Sequence, residues 1–106
     1  PPPREKKVRV SDINLSIVKR TVEAEVRILD DREWSVSGAL VEATWTLPDG
    51  STRFVTATTE YGGWARLDLN KARRGQYTLT IDNVALDDHT FDPDNSVLSA
   101  SIVKRK

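Results

Sequence analysis

The sequence predicts an all-β domain, an antiparallel sandwich of about seven strands, and three observations carry that expectation. Apolar and polar residues alternate with a period of two in one segment after another, the pattern of strands with one face in a core and one in water. Between these segments fall reversals rich in Gly, Pro, Asp and Asn, at the spacing of about 8–12 residues that sandwiches show. Gly and Pro stay out of the strand centres, where they would forfeit packing or a ladder hydrogen bond. The 106 residues make one domain, long enough for one ordinary core.

Taken in order, Pro1-Pro2-Pro3 favours an extended polyproline conformation, and residues 1–7 read as a linker entering the domain at 8–103. In the first strand Val8 and Val10 lie on one parity and Ile13, Leu15 and Ile17 on the other, so a β-bulge or a switch of sheet is needed near Ser11-Asp12. The second strand turns Val22, Ala24, Val26 and Ile28 inward, and Asp30-Asp31-Arg32-Glu33 and Ser37-Gly38 end it. The third strand buries Val41, Ala43 and Trp45, and Pro48-Asp49-Gly50 reverses the chain. Residues 52–58 form a strand of weak sidedness, which suggests an edge. After Gly62-Gly63, Leu67 and Leu69 point inward, and Asn70 to Gly75 fits one helical turn with Asn70 as cap and Gly75 as terminator. The sixth strand buries Tyr77, Leu79 and Ile81; Asp92-Pro93-Asp94-Asn95 then turns the chain into a last strand with Leu98, Ala100 and Ile102 inward. Residues 104–106 form a basic tail.

Periodicity alone also fits a barrel. Trp45 in mid-strand, and Tyr77 just after Gly75, sit where immunoglobulin-like sandwiches keep a core Trp and a corner Tyr, and they favour that fold without its cysteine pair.

Beyond the fold, the run Val10-x-Asp12, Val36-x-Gly38-Ala39-x-Val41, Trp45, Pro48-x-Gly50 continues as Thr59-x-x-Gly62-Gly63-x-Ala65 and Gly75-x-Tyr77-Thr78-Leu79-Thr80-Ile81-x-x-Val84, ending in Phe91-Asp92-Pro93-x-x-Ser96. This resembles the bacterial immunoglobulin-like accessory modules found C-terminal to secreted subtilisin-type proteases, similar in outline to carboxypeptidase-regulatory and collagen-adhesin B-type domains. The resemblance spans residues 8–103. It implies a secreted, extracellular or cell-surface module with no activity of its own, whose partners are the neighbouring domains of a parent protein and a polysaccharide or protein that it touches.

Charge and chemistry narrow the function further. The formal net charge is zero. Residues 1–20 and 104–106 are basic, whereas the segment between them has seven basic and fourteen acidic residues. A nucleic-acid-binding domain shows a basic face on its body, so this balance argues against nucleic acid. The basic ends themselves, Arg4, Lys6, Lys7 and Arg9 and then Lys104-Arg105-Lys106, read as solvated termini, and Arg73-Arg74 is a lone pair. No apolar run exceeds three residues, too short for a membrane-inserting helix or a signal peptide; the opening Pro1 in place of Met points to an excerpt or a processed chain. Cysteine is absent, and no cofactor is expected.

His89 is the only histidine and sits in a polar segment, so neither a catalytic triad nor a zinc site is expected and the domain reads as no enzyme. Asp87, Asp88, Asp92, Asp94 and Asn95 supply the oxygen ligands calcium favours, and Asp30-Asp31 would join them if loops converge. Their spacing departs from the EF-hand, and the plainer reading is that they cap turns. Trp34, Tyr61 and Trp64 are candidates for stacking on a sugar or anchoring a protein partner, which makes a carbohydrate-binding module the alternative function. The plainer reading there is that Trp34 or Trp64 folds over the end of the sandwich as a lid.

Overall fold

The computed structural model describes residues 6–105. Strands β1 (Lys7–Val18) and β2 (Thr21–Asp30) form a long hairpin; β3 (Leu40–Thr46), β4 (Thr52–Thr58), β5 (Trp64–Arg66) and β6 (Gly75–Ala85) follow, then the two-residue β7 (Thr90–Phe91), a 3-10 turn at Pro93–Asn95, and β8 (Ser99–Lys104). One sheet runs β5-β2-β1-β7 and the other β4-β3-β6-β8. Every pairing is antiparallel except β1 with β7. This is the immunoglobulin-like sandwich, with β4 beside β3 instead of beside β5 as in the constant-type arrangement. The sheets therefore meet along an open seam between the edges of β4 and β5.

The alternation read from the sequence is the packing. Val22, Ala24, Val26 and Ile28 of one sheet face Val41, Ala43, Trp45, Tyr77 and Leu79 of the other, all buried. Trp45 joins the layers: its Nε1–H donates to the Leu67 carbonyl at 3.1 Å, and its ring meets Tyr77 edge-on, with centroids 6.5 Å apart. A buried indole N–H without such a partner would cost about 1–3 kcal/mol. The phase change in β1 is a bulge between Val10 and Asp12. There the Ser96 hydroxyl accepts the Val10 N–H at 2.9 Å and Val97 N–H donates to the Val10 carbonyl at 3.0 Å, tying the segment before β8 to the first strand. A second bulge lies where β6 passes Glu42 and Ala43, and Thr44 Oγ1 donates to Asp82 Oδ2 at 2.6 Å.

Four expectations need correction. Residues 70–75 form no helical turn; Lys71 has φ 57°, and the loop is held instead by Thr21 Oγ1 on Asn70 Oδ1 and by Ala72 N–H on the Arg20 carbonyl. Leu98 is 38% exposed and precedes β8, while Ala100 and Ile102 are only half-buried, because β8 is an edge strand with less sheet over it. The strand after Gly63 is three residues long, extended only by an isolated bridge from Leu69 to Val22. Lys7 and Lys104, assigned to the linker and the tail, belong to β1 and β8; residues 1–5 and Lys106 lie outside the described residues.

The connections sort into two ends. At one lie residues 31–39, 59–63 and 86–98; at the other, the β1–β2 turn, the β3–β4 turn and the β5–β6 loop. The chain enters β1 at the first end and leaves β8, opposite Gly75, at the second.

Candidate functional site

At the first end, one carboxylate shapes the turn that carries Trp34. Asp30 Oδ1 accepts the N–H groups of Arg32 and Trp34 at 2.8 and 2.9 Å, and the Asp30 N–H donates to the Trp34 carbonyl at 2.9 Å. The turn closes through Glu33 at φ 65° and leaves Trp34 68% exposed. Trp34 is thus no lid. It borders a depression of about 380 Å³ together with Lys6, Asp30, Arg32 and His89.

Tyr61 and Trp64 come together elsewhere, on the seam between the sheets. They line a groove of about 530 Å³ with Glu25, Thr58, Glu60 and Arg66. Gly63 makes this geometry possible. At φ 80° its backbone passes so close to the Ile28 carbonyl that a Cβ would lie 2.7 Å from that oxygen. The turn before it projects Tyr61 wholly into solvent. Trp64 is half-buried, on the outer face of its sheet and not over the end, with the Arg27 guanidinium 5.7 Å from its ring centroid. Arg66 is held by Glu23 at 3.0 Å and Asp68 at 3.4 Å. The groove thus has two aromatic rings and a fixed cation, a set suited to a planar or hydroxyl-rich ligand.

In the acidic loop the polar groups bond one another. Asp92 Oδ2 accepts from Asn95 Nδ2 at 2.7 Å, the Asp92 carbonyl accepts the Ser96 hydroxyl at 2.7 Å, and Asp88 sits at φ 62° in a turn. Among the described residues no three His, Asp or Glu side chains are grouped as a metal ion requires, so Asp87, Asp88, Asp92 and Asp94 do not form the set considered from sequence. His89 is half-buried, and its Nδ1 bonds the Asp87 carbonyl at 2.8 Å rather than a carboxylate.

The opposite end holds a site that sequence reasoning passed over. The β3–β4 turn and the β5–β6 loop enclose a groove of about 640 Å³ bordered by Pro48, Asp49, Arg53, Lys71, Arg73 and Arg74. Its shape comes from Tyr77, whose hydroxyl accepts the Arg73 N–H at 2.7 Å and donates to the Arg73 carbonyl at 2.9 Å, the corner expected from sequence. Gly75, at φ 131°, lies against the Pro48 ring where a Cβ would collide. Asp49 Oδ1 accepts both the hydroxyl and the N–H of Ser51, at 2.6 and 2.9 Å. Those bonds, the hydroxyl's first, hold its carboxyl below the ordinary value, and the charge of Arg73 adds to them. Arg73-Arg74, with Lys71 two residues before, was the visible trace of this groove; Arg53 reaches it from a separate segment, β4, for which no local pattern exists.

Compared with protein-family models, curated proteins and solved structures, the chain matches none.

Proposed function

We propose that this chain is a non-catalytic accessory domain of a larger exported bacterial protein, acting outside the cell or at its surface as a spacer that joins neighbouring domains and meets a partner. The observation that carries this reading is the course of the terminal strands. β1 enters at one end and β8 leaves at the other, and both run the same way along a body of 56 × 25 × 17 Å. Tension between the chain ends therefore loads these strands along their length, so that their contacts must fail together. Forced unfolding is governed by the unfolding barrier, which makes it the direct test. Held by its two ends in a single-molecule stretching experiment, the chain is expected to unfold in one cooperative step at a force well above that needed to extend unfolded chain. Gradual extension without such a step would defeat the spacer reading.

A second reading, a carbohydrate-binding module, is favoured by the full exposure of Tyr61 beside Trp64 and by the exposure of Trp34. Exposed rings on turns closed by backbone hydrogen bonds present apolar area at little entropic cost. Tryptophan fluorescence is expected to respond to one member of a panel of neutral polysaccharides, and Tyr61→Ala to abolish the response. A flat response across the panel would leave the spacer reading alone.

A further inference from the structure

We infer that the groove between the β3–β4 turn and the β5–β6 loop is a binding site for an acidic polysaccharide, a chain of sugar rings bearing carboxylate groups. Among the described residues four cations, Arg53, Lys71, Arg73 and Arg74, and a single acid, Asp49, border one groove of about 640 Å³. Among the described residues none of these four makes an ion pair, whereas Arg9 and Arg66 do. Unneutralised like charges repel, and an incoming anion relieves that repulsion. Three of the four are arginines, whose planar fork binds carboxylates through paired hydrogen bonds.

The groove is also preorganised. Arg73 is fixed through both backbone groups by Tyr77, itself buried against Trp45, and the buried Ala72 ties the same loop to the β1–β2 turn through the Arg20 carbonyl at 2.7 Å. Binding then need not order the loop, which keeps its entropic cost low. The remaining lining suits a sugar: Leu47 and Pro48 offer apolar surface to a ring face, and Ser51 and Asp49 offer groups for its hydroxyls. Lys19 and Arg20 stand on the adjoining turn, so positive charge continues past the groove and favours a polymer over a single sugar. No exposed aromatic lines the groove on which a nucleic-acid base could stack. The site lies at the other end from Tyr61 and Trp64 and is independent of the neutral-sugar reading.

The test uses polygalacturonate, neutral dextran and single-stranded DNA as probes, with calorimetry or affinity electrophoresis at about 0.15 M salt, where the screening length is about 8 Å. Polygalacturonate is expected to bind, dextran not to bind, and DNA to bind more weakly. Arg53→Gln combined with Arg74→Gln is expected to weaken polygalacturonate binding at least about tenfold with an unchanged melting temperature, and Tyr61→Ala to leave it unaltered. Polygalacturonate binding unaffected by the double substitution overturns the proposal, as does DNA binding as tightly as the uronate polymer. Absence of polygalacturonate binding by the parent chain overturns it as well.

Discussion

The two ends of this sandwich are built in opposite ways. At the end where the chain enters, acidic side chains are spent within their own loops: Asp30 accepts two backbone N–H groups and closes the turn under Trp34, and Asp92 accepts the side-chain amide of Asn95. At the exit end Asp49 likewise bonds Ser51 within its own turn, but the β5–β6 loop is held by a buried aromatic ring and by tight passage of Gly75 over Pro48, and the Arg and Lys side chains bordering the groove remain free of ion pairs among the described residues. A charged side chain that shapes a loop is no longer available to a partner. A loop shaped by its core can hold its charges outward, and that distinguishes a structural charge cluster from a binding one.

The comparison breaks most sharply at Gly75. Replacing it with Ala forces a side chain into a positive-φ position and against the Pro48 ring, and should destabilise the fold by about 3 kcal/mol while distorting the basic groove, read as a lower melting temperature together with weaker polygalacturonate binding. Tyr77→Phe comes next. It leaves every cation in place but strips both bonds from Arg73, for an expected loss of about 1–3 kcal/mol and a measurable fall in polyanion affinity. A Tyr77→Phe variant that melts and binds like the parent would mean the loop is held by something other than the core. At the acidic end, Asp30→Ala removes two exposed carboxylate bonds and should cost about 1 kcal/mol in a denaturant titration, with polyanion affinity unchanged.

The smallest effect is at Asp49, the one acid in the basic groove. Because its carboxyl is held below the ordinary value in the folded chain, it contributes stability above the usual carboxylate range and loses it as the pH falls through the folded value. Asp49→Asn should therefore flatten slightly the acid limb of a plot of melting temperature against pH. An unaltered acid limb would show that the Ser51 bonds are not kept in solution.

How much could be read from the residues alone differs from element to element. The parity change between Val10 and Ile13 was legible as a break needing a β-bulge or a switch of sheet, and the pairing of β1 with β2 on both sides of it shows the bulge. The edge position of β4 showed in its weak sidedness, and Trp45 and Tyr77 marked the core because a large ring at an inward position has nowhere else to go. Leu98 was misplaced because alternation reports parity and not depth, and near an edge strand the inward side is not fully covered. The 70–75 segment was misread because Asn70 and Gly75 suit a helix cap and terminator equally with a loop pinned from outside by Thr21, Arg20 and Tyr77. Trp34 could not be assigned from its neighbours, since its exposure depends on how the Asp30 carboxylate folds the turn.

The linear chain on its own determined the seven longer strands in outline, the inward faces of those with a covered side and the aromatic pair between the sheets, because side-chain alternation and turn chemistry act over a few residues. The meeting of Arg53 with Lys71, Arg73 and Arg74, and the separation of Trp34 from Tyr61 and Trp64, were decided only in three dimensions. Which loops share an end depends on sheet pairing between distant segments, and charges brought together that way carry no mark of it in their local sequence.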